Sequence, residues 1–164
     1  MAMGNRALNY MSTAPATTQQ PTPIRFFEAL NGFQTTFMLK AAIELDIFTA
    51  IAEGANTTQA LARRTDSSER GIRILCDVLA THGFLLKNSE QAPAVYNLTD
   101  DAAMFLNRNS RAFLGNAADF LVNPEIVLGW TKLTTAVRTG RTALPDNGTC
   151  DTEDPVWVDF AKGM

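Results

Sequence analysis

The chain has 164 residues, 46% of them apolar and 19% charged, with a formal net charge of −3. Such a composition can bury a core and is not that of a disordered chain, and it lacks the Lys/Arg excess of a typical nucleic-acid binder. No apolar stretch approaches the ~20 residues that a membrane-spanning helix needs, and the N-terminus lacks the apolar segment of a secretory signal.

Residues 1–22 hold almost no apolar periodicity, and the stretch from Ser12 to Pro23 is Ser, Thr, Ala, Gln and Pro. Too little surface could be buried there to offset chain entropy, so a disordered tail is expected. From Ile24 the pattern changes. Ile24, Phe27, Leu30, Phe37 and Ala41 recur at helical spacing, with Phe26, Phe33 and Met38 widening the apolar face. Pro23 suits a first turn, where its missing N–H costs nothing. Four phenylalanines on one helix exceed what a single core face requires, and a second copy of the chain is the simplest cover.

A second helix is expected through Ala41, Ile43, Leu45, Ile47, Phe48 and Ile51, ending near Gly54. Thr57-Thr58 then opens a short helix, and Ser67-Ser68 with Glu69 opens a longer one through Ile72, Leu75 and Leu79. That helix should stop at His82-Gly83, where glycine can turn left-handed. Phe84-Leu85-Leu86 and Val95-Tyr96-Asn97-Leu98 read as two strands joined by a polar turn-rich segment, Asn88 to Pro93. Thr99-Asp100-Asp101 caps a short helix through Met104 and Leu106. Further helices are expected over Phe113 to Leu121 and Pro124 through Val137. A loop from Gly140 to Thr149 follows, and a last helix starts around Asp154-Pro155 and runs to Met164 with no stop signal. A helix cut in mid-pattern suggests a fragment boundary.

The fold class is therefore mainly α: a winged helix–turn–helix with a short two-stranded wing plus additional N- and C-terminal helices. Three segments are expected: a disordered tail at 1–22, a winged-helix domain at 23–108, and a helical connecting arm at 109–164.

Two cysteines, Cys76 and Cys150, lie far apart with no CxxC pair, and His82 is the single histidine. No metal site is expected from this chain, and a reduced, cytoplasmic setting is the simplest. The Asn-x-Thr triplets at Asn56, Asn97 and Asn147 are read as turn or capping elements. His82, beside Gly83 at a helix C-terminus, suits a capping role better than a catalytic one. Asp100 and Asp101 suit a helix first turn better than acid–base chemistry.

Several segments, taken in order, resemble the plant and bacterial family of small-molecule O-methyltransferases that carry an N-terminal dimerisation domain. They are Leu39-Lys40-Ala41-Ala42-Ile43-Glu44-Leu45-Asp46-Ile47-Phe48, Ser68-Glu69-Arg70-Gly71-Ile72-Arg73-Ile74-Leu75, Gly83-Phe84-Leu85, Tyr96-Asn97-Leu98-Thr99 and Phe160-Ala161-Lys162-Gly163-Met164. The resemblance spans roughly residues 23–164 and implies that 23–108 is a dimerisation domain and 109–164 a substrate-capping arm. It implies a homodimer whose N-terminal helices intertwine, with a dimer interface carried here by Ile24, Phe26, Phe27, Leu30, Phe33 and Phe37. It also implies a separate C-terminal Rossmann-like domain that binds S-adenosylmethionine and supplies a histidine as general base. Methyl transfer is direct displacement at a sulfonium-bound carbon, so the protein contributes positioning and proton removal. Phe160 and Met164 match the family's Phe-x-x-x-Met segment at the acceptor pocket, and Trp157 lies close to that helix face.

The chain departs from the complete family pattern in one respect. No two of its ten glycines are separated by a single residue, so the glycine-rich turn of a cofactor domain is absent. No catalytic residue and no cofactor are expected in this chain. S-adenosylmethionine and a small hydroxylated acceptor belong to the intact enzyme.

Two rivals stand beside this reading. A winged-helix transcriptional regulator would use Arg70 and Arg73 on its reading helix, but Glu69, Asp77 and the pair Lys87 and Glu90 leave little net positive charge there. A partner-binding module would use the apolar first helix. Neither nucleic acid nor membrane is an expected partner.

Overall fold

The computed structural model describes residues 20–90, 93–144 and 156–163. It divides into two units, Met1–Asn31 and Gly32–Met164. The fold is mainly helical, with one two-stranded antiparallel sheet among the described residues.

Helix α1 spans Ile24–Glu44. At its start, the N–H groups of Phe26 and Phe27 donate to the Pro23 carbonyl at 3.1 and 3.2 Å. The sequence suggests a break near Ala41, but the helix runs on through Leu39, Lys40, Ala41 and Ala42, all good helix formers. A Lys40–Glu44 ion pair one turn apart closes its last turn. The break comes instead at Asp46, which takes a left-handed backbone at φ 55°. Aspartate is among the few residues that tolerate this conformation.

Helices α2 (Ile47–Ala52), α3 (Thr58–Arg64) and α4 (Glu69–Thr81) follow. The Thr57 and Ser68 side chains accept from the N–H of Ala60 and Gly71, as their positions predict. Helix α4 ends on His82, and Gly83 follows at φ 77°. Strands β1 (Leu85–Asn88) and β2 (Val95–Leu98) pair with Leu85 opposite Leu98 and Lys87 opposite Tyr96. The Tyr96 N–H donates to the Asn56 carbonyl at 2.8 Å, tying the hairpin to the α2–α3 connection. Helix α5 (Asp100–Phe105) is capped by Thr99, whose hydroxyl also donates to the Phe84 carbonyl.

The core forms where these elements meet. Ile47, Phe48 and Ile51 of α2 close on Leu61 of α3, on Ile72, Cys76 and Leu79 of α4, and on Leu85, Tyr96 and Ala102. Positions 72, 76 and 79 are one face of a helix, and strand alternation places Leu85 inside and Leu86 outside. Cys76 is a free, fully buried thiol, and burial followed by the neighbouring Asp77 charge pushes its pKa up to about 12.

Beyond Asn109 the sequence suggests a helix from Phe113, but helix α6 spans only Ala117–Leu121. Phe113 folds back over Gly115, where an added Cβ would lie 2.3 Å from the ring, and the Arg108 guanidinium sits over that ring at 5.1 Å. The expected helix from Pro124 to Val137 is two, α7 (Pro124–Thr131) and α8 (Leu133–Thr139), parted at Lys132. Helix α9 spans Val156–Gly163. Residues 1–19 of the expected tail, Asn147, Cys150, Asp154-Pro155 and Met164 lie outside the described residues.

One carboxylate joins α4 to the hairpin. Asp77 accepts from Lys87 Nζ at 2.6 Å, from the Tyr96 hydroxyl at 2.7 Å and from Arg73 at 3.3 Å. Partial burial alone would raise the Asp77 pKa, but the Lys87 and Tyr96 hydrogen bonds and the two cations hold it below the usual carboxylate value. Burial, then the hydrogen bond to Asp77, raises that of Tyr96. Asp77 therefore contributes stability that is present above about pH 4 and is lost as pH falls through its lowered pKa. Tyr96 and Cys76 contribute stability that is full below about pH 9 and lost as pH rises beyond it. Asp77→Ala, which removes the charged acceptor of Lys87 and of the Tyr96 hydroxyl, is expected to lower unfolding free energy by about 1–3 kcal/mol in urea titrations at pH 7. Asp77→Asn should flatten the loss of stability between pH 5 and 3 that the unmutated chain shows. An unchanged acid limb in Asp77→Asn would contradict this assignment.

Candidate functional site

The first surface lies on α1. Phe26, Leu30, Phe33 and Phe37 are spaced 4, 3 and 4 residues apart, which on a helix is one continuous stripe. They are 60, 57, 59 and 45% exposed, and the flanking Ile24 and Phe27 are 57 and 55% exposed. Ala42, near the C-terminal end, is the one fully buried residue of the helix. Folding of the chain alone thus leaves six large apolar side chains on α1 in water.

The second surface lies on α6 and α9. Trp157 and Phe160 meet edge to face at 5.9 Å between ring centroids, as their three-residue spacing allows. Phe120 of α6 completes the group, 6.3 Å from Trp157 and 5.0 Å from Phe160. Trp157 and Phe160 stay 41 and 39% exposed, so the cluster presents an aromatic wall to the outside. Met164, expected on the same face, lies outside the described residues. Phe120 was not singled out by sequence reasoning, because nothing local marks it; only the packing of α6 on α9 reveals it.

The third surface is the outer face of α4 and the hairpin. Arg73 is paired with Asp77 one turn on. Lys87 does not meet Glu90 but also pairs with Asp77. The turn explains this: the Glu90 N–H donates to the Asn88 side chain, while β1 carries Lys87 back along α4. Both cations thus pair with one carboxylate, and Glu69 on the same helix offsets the charge that remains, which gives no support to a phosphate-binding face.

The polar residues that invite catalytic roles take structural ones. His82 is the C-cap of α4, and Asp100 and Asp101 fill the first turn of α5 beside the Thr99 cap. Among the described residues no group of three His, Cys, Asp or Glu side chains could hold a metal ion. No described helix is long and apolar enough to cross a membrane. The two described strands are antiparallel, and no glycine-bearing strand-to-helix turn accompanies them, so these residues do not fit S-adenosylmethionine.

Residues 27–108 match the O-methyltransferase dimerisation domain. Over 110 residues the chain is 31% identical to the tetracenomycin polyketide synthesis 8-O-methyl transferase TcmO of Streptomyces glaucescens, an alignment covering 67% of this chain and 31% of that protein. Among solved structures, it is similar to a Nostoc punctiforme chain assigned as an O-methyltransferase. The identity is 46% and the TM-score 0.80, over 88% of this chain and 42% of the other. Human N-acetylserotonin methyltransferase, solved with S-adenosylmethionine, shares the fold at 20% identity and a TM-score of 0.72, over 89% and 42% of the two chains. The chain thus spans about a third of the curated relative and about two-fifths of these solved chains.

Phe120 is expected to brace α9. Phe120→Ala should remove two ring contacts of about 0.5–1.5 kcal/mol each and raise amide exchange across residues 156–163. Amide exchange of α4 should not change. Equal protection of α9 in the variant would show that the ring contacts do not hold it.

Proposed function

This chain belongs to the O-methyltransferase dimerisation-domain family, and on that premise we propose that it is the self-associating, substrate-capping part of an S-adenosylmethionine-dependent O-methyltransferase acting on a small hydroxylated metabolite. The observation that carries the self-association is the bare α1 stripe inside the matched segment. An aromatic side chain can bury 150–250 Å². Four half-exposed phenylalanines with Ile24 and Leu30 therefore offer roughly 600 Å² per copy, or about 1,200 Å² in a pair, the lower bound of a stable interface. A homodimer uses such a stripe twice with one set of residues.

The capping role rests on the second surface. Phe120, Trp157 and Phe160 make a half-exposed apolar wall suited to the flat face of an aromatic acceptor. A relative named for polyketide synthesis is in keeping with an acceptor of that kind. The methyl donor and the proton acceptor are assigned to a domain these residues do not form. Duplex binding is disfavoured because Arg73 and Lys87 are both engaged by Asp77 and the same helix carries Glu69.

Sedimentation at micromolar concentration is expected to return a dimer. Phe33→Asp, placing a charge in the seam, should weaken association at least ~100-fold and leave the helical circular dichroism intact. A monomeric unmutated chain would refute the reading. In the enzyme that carries this segment, Trp157→Ala should raise the acceptor KM several-fold and leave the S-adenosylmethionine KM unchanged. Equal changes in both would remove the capping role.

A further inference from the structure

We propose that Arg108 is the clasp that fixes the aromatic wall relative to the core, and so a positioning residue for the acceptor. This rests on the capping reading above and names what holds the capping surface in place. The core cluster and the apolar side chains packed on it end at Leu106, so among the described residues no later apolar side chain joins that core. Polar contacts make the attachment instead. The Arg108 N–H donates to Thr49 Oγ1 at 3.0 Å, where Thr49 is buried, and Arg108 Nε donates to Asp46 Oδ1 at 3.0 Å. Asn109 Nδ2 donates to Glu53 Oε1 at 3.1 Å, and the other oxygen of that carboxylate accepts from Arg64 at 2.7 Å. Asp46 and Glu53 are the N-cap and C-cap of α2, so two successive residues grip both ends of one core helix.

From that grip to the wall the chain is continuously braced. The Leu114 N–H donates back to the Phe105 carbonyl at 2.8 Å, and inside this neck the Ser110 and Phe113 N–H groups donate to the Asn107 and Ser110 carbonyls at 2.9 and 3.3 Å. A loop tied at its neck and bonded within itself behaves as a block, not as a slack tether. The Arg108 guanidinium lies over the Phe113 ring, 5.1 Å from its centroid, and that ring in turn covers Gly115. The N–H groups of Ala117 and Ala118 donate to the Leu114 and Gly115 carbonyls, both at 3.0 Å, so α6 starts directly from the block. Phe120 of α6 then meets Trp157 and Phe160. Arg108 can thus decide where the wall stands without touching an acceptor, and displacements of about 1 Å are enough to cost an enzyme rate.

Amide exchange of the full chain is the first measurement. Arg108→Ala, which removes a half-exposed side chain and spares the core, is expected to speed exchange across residues 113–121 at least about threefold and to leave α4 unchanged. In the enzyme that carries this segment, the same variant should raise the acceptor KM about three- to tenfold, with kcat and the S-adenosylmethionine KM unchanged. Phe113→Leu, which leaves the Asp46 pair in place, should shift exchange and acceptor KM in the same directions. Unaltered exchange across 113–121 in Arg108→Ala overturns the clasp, whatever Trp157→Ala does. Faster exchange with an unmoved acceptor KM, where Trp157→Ala does raise it, overturns the positioning role and leaves capping standing. An acceptor KM that neither Arg108→Ala nor Trp157→Ala moves overturns positioning and capping together.

Discussion

The core takes in only the C-terminal end of the leading helix, and most else follows from that. The fully buried apolar residues lie between Ala42 and Ala102, gathered from α2, α3, α4, the hairpin and α5. Ala42 is the only contribution of α1 to this set. The four phenylalanines upstream of Met38 stay about half exposed, whereas Met38, Leu39 and Ile43 pack against the core. Most helical stability in proteins comes from burying an apolar face, so the leading part of this helix has burial still to gain. The proposed function is the direct reading of this shortfall: the apolar surface that folding leaves over is the surface that association uses.

Within the core-bearing part, polar groups decide how elements attach to one another. Asp77 gathers donors from its own helix, from β1 and from β2, so that one carboxylate sets the angle at which the hairpin leaves α4. Thr49, buried on α2, accepts from the Arg108 N–H at 3.0 Å and fixes the chain where it leaves α5. No buried side-chain polar atom among the described residues is left without a partner. The polar interior is thus satisfied, and the apolar side chains left exposed lie on the outside: on α1, on α4 and β1, on α6 and α9, and on α7 and α8, where Trp130 and Val137 stand out.

Local chemistry made much of this legible in the sequence. Thr57, Ser68 and Thr99 each announce a helix start through a short side chain that can accept from an N–H three residues on, and each does so. Gly83 announces a stop. What stayed hidden was set by conformations and contacts that no periodicity encodes. The left-handed turn at Asp46 moved a helix boundary from Ala41 to Glu44. The stacking of Phe113 over Gly115 cancelled a helical turn that the apolar spacing favoured. At the candidate sites, Trp157 and Phe160 could be placed together by spacing alone, whereas Phe120 enters from 37 residues away, and the role of Asp77 depends on Tyr96, 19 residues on.

Cys76 has a consequence of a different kind. Its sulfur is buried in the same core cluster as Ile72, Leu79 and the α2 side chains, and burial raises its pKa and so disfavours the reactive thiolate. Alkylating reagents and mild oxidants will therefore find this thiol only in molecules whose interior has come apart. The position is a natural clock for global opening: its modification rate, followed by peptide mass, reports how often the whole scaffold unlatches, without any label having been introduced.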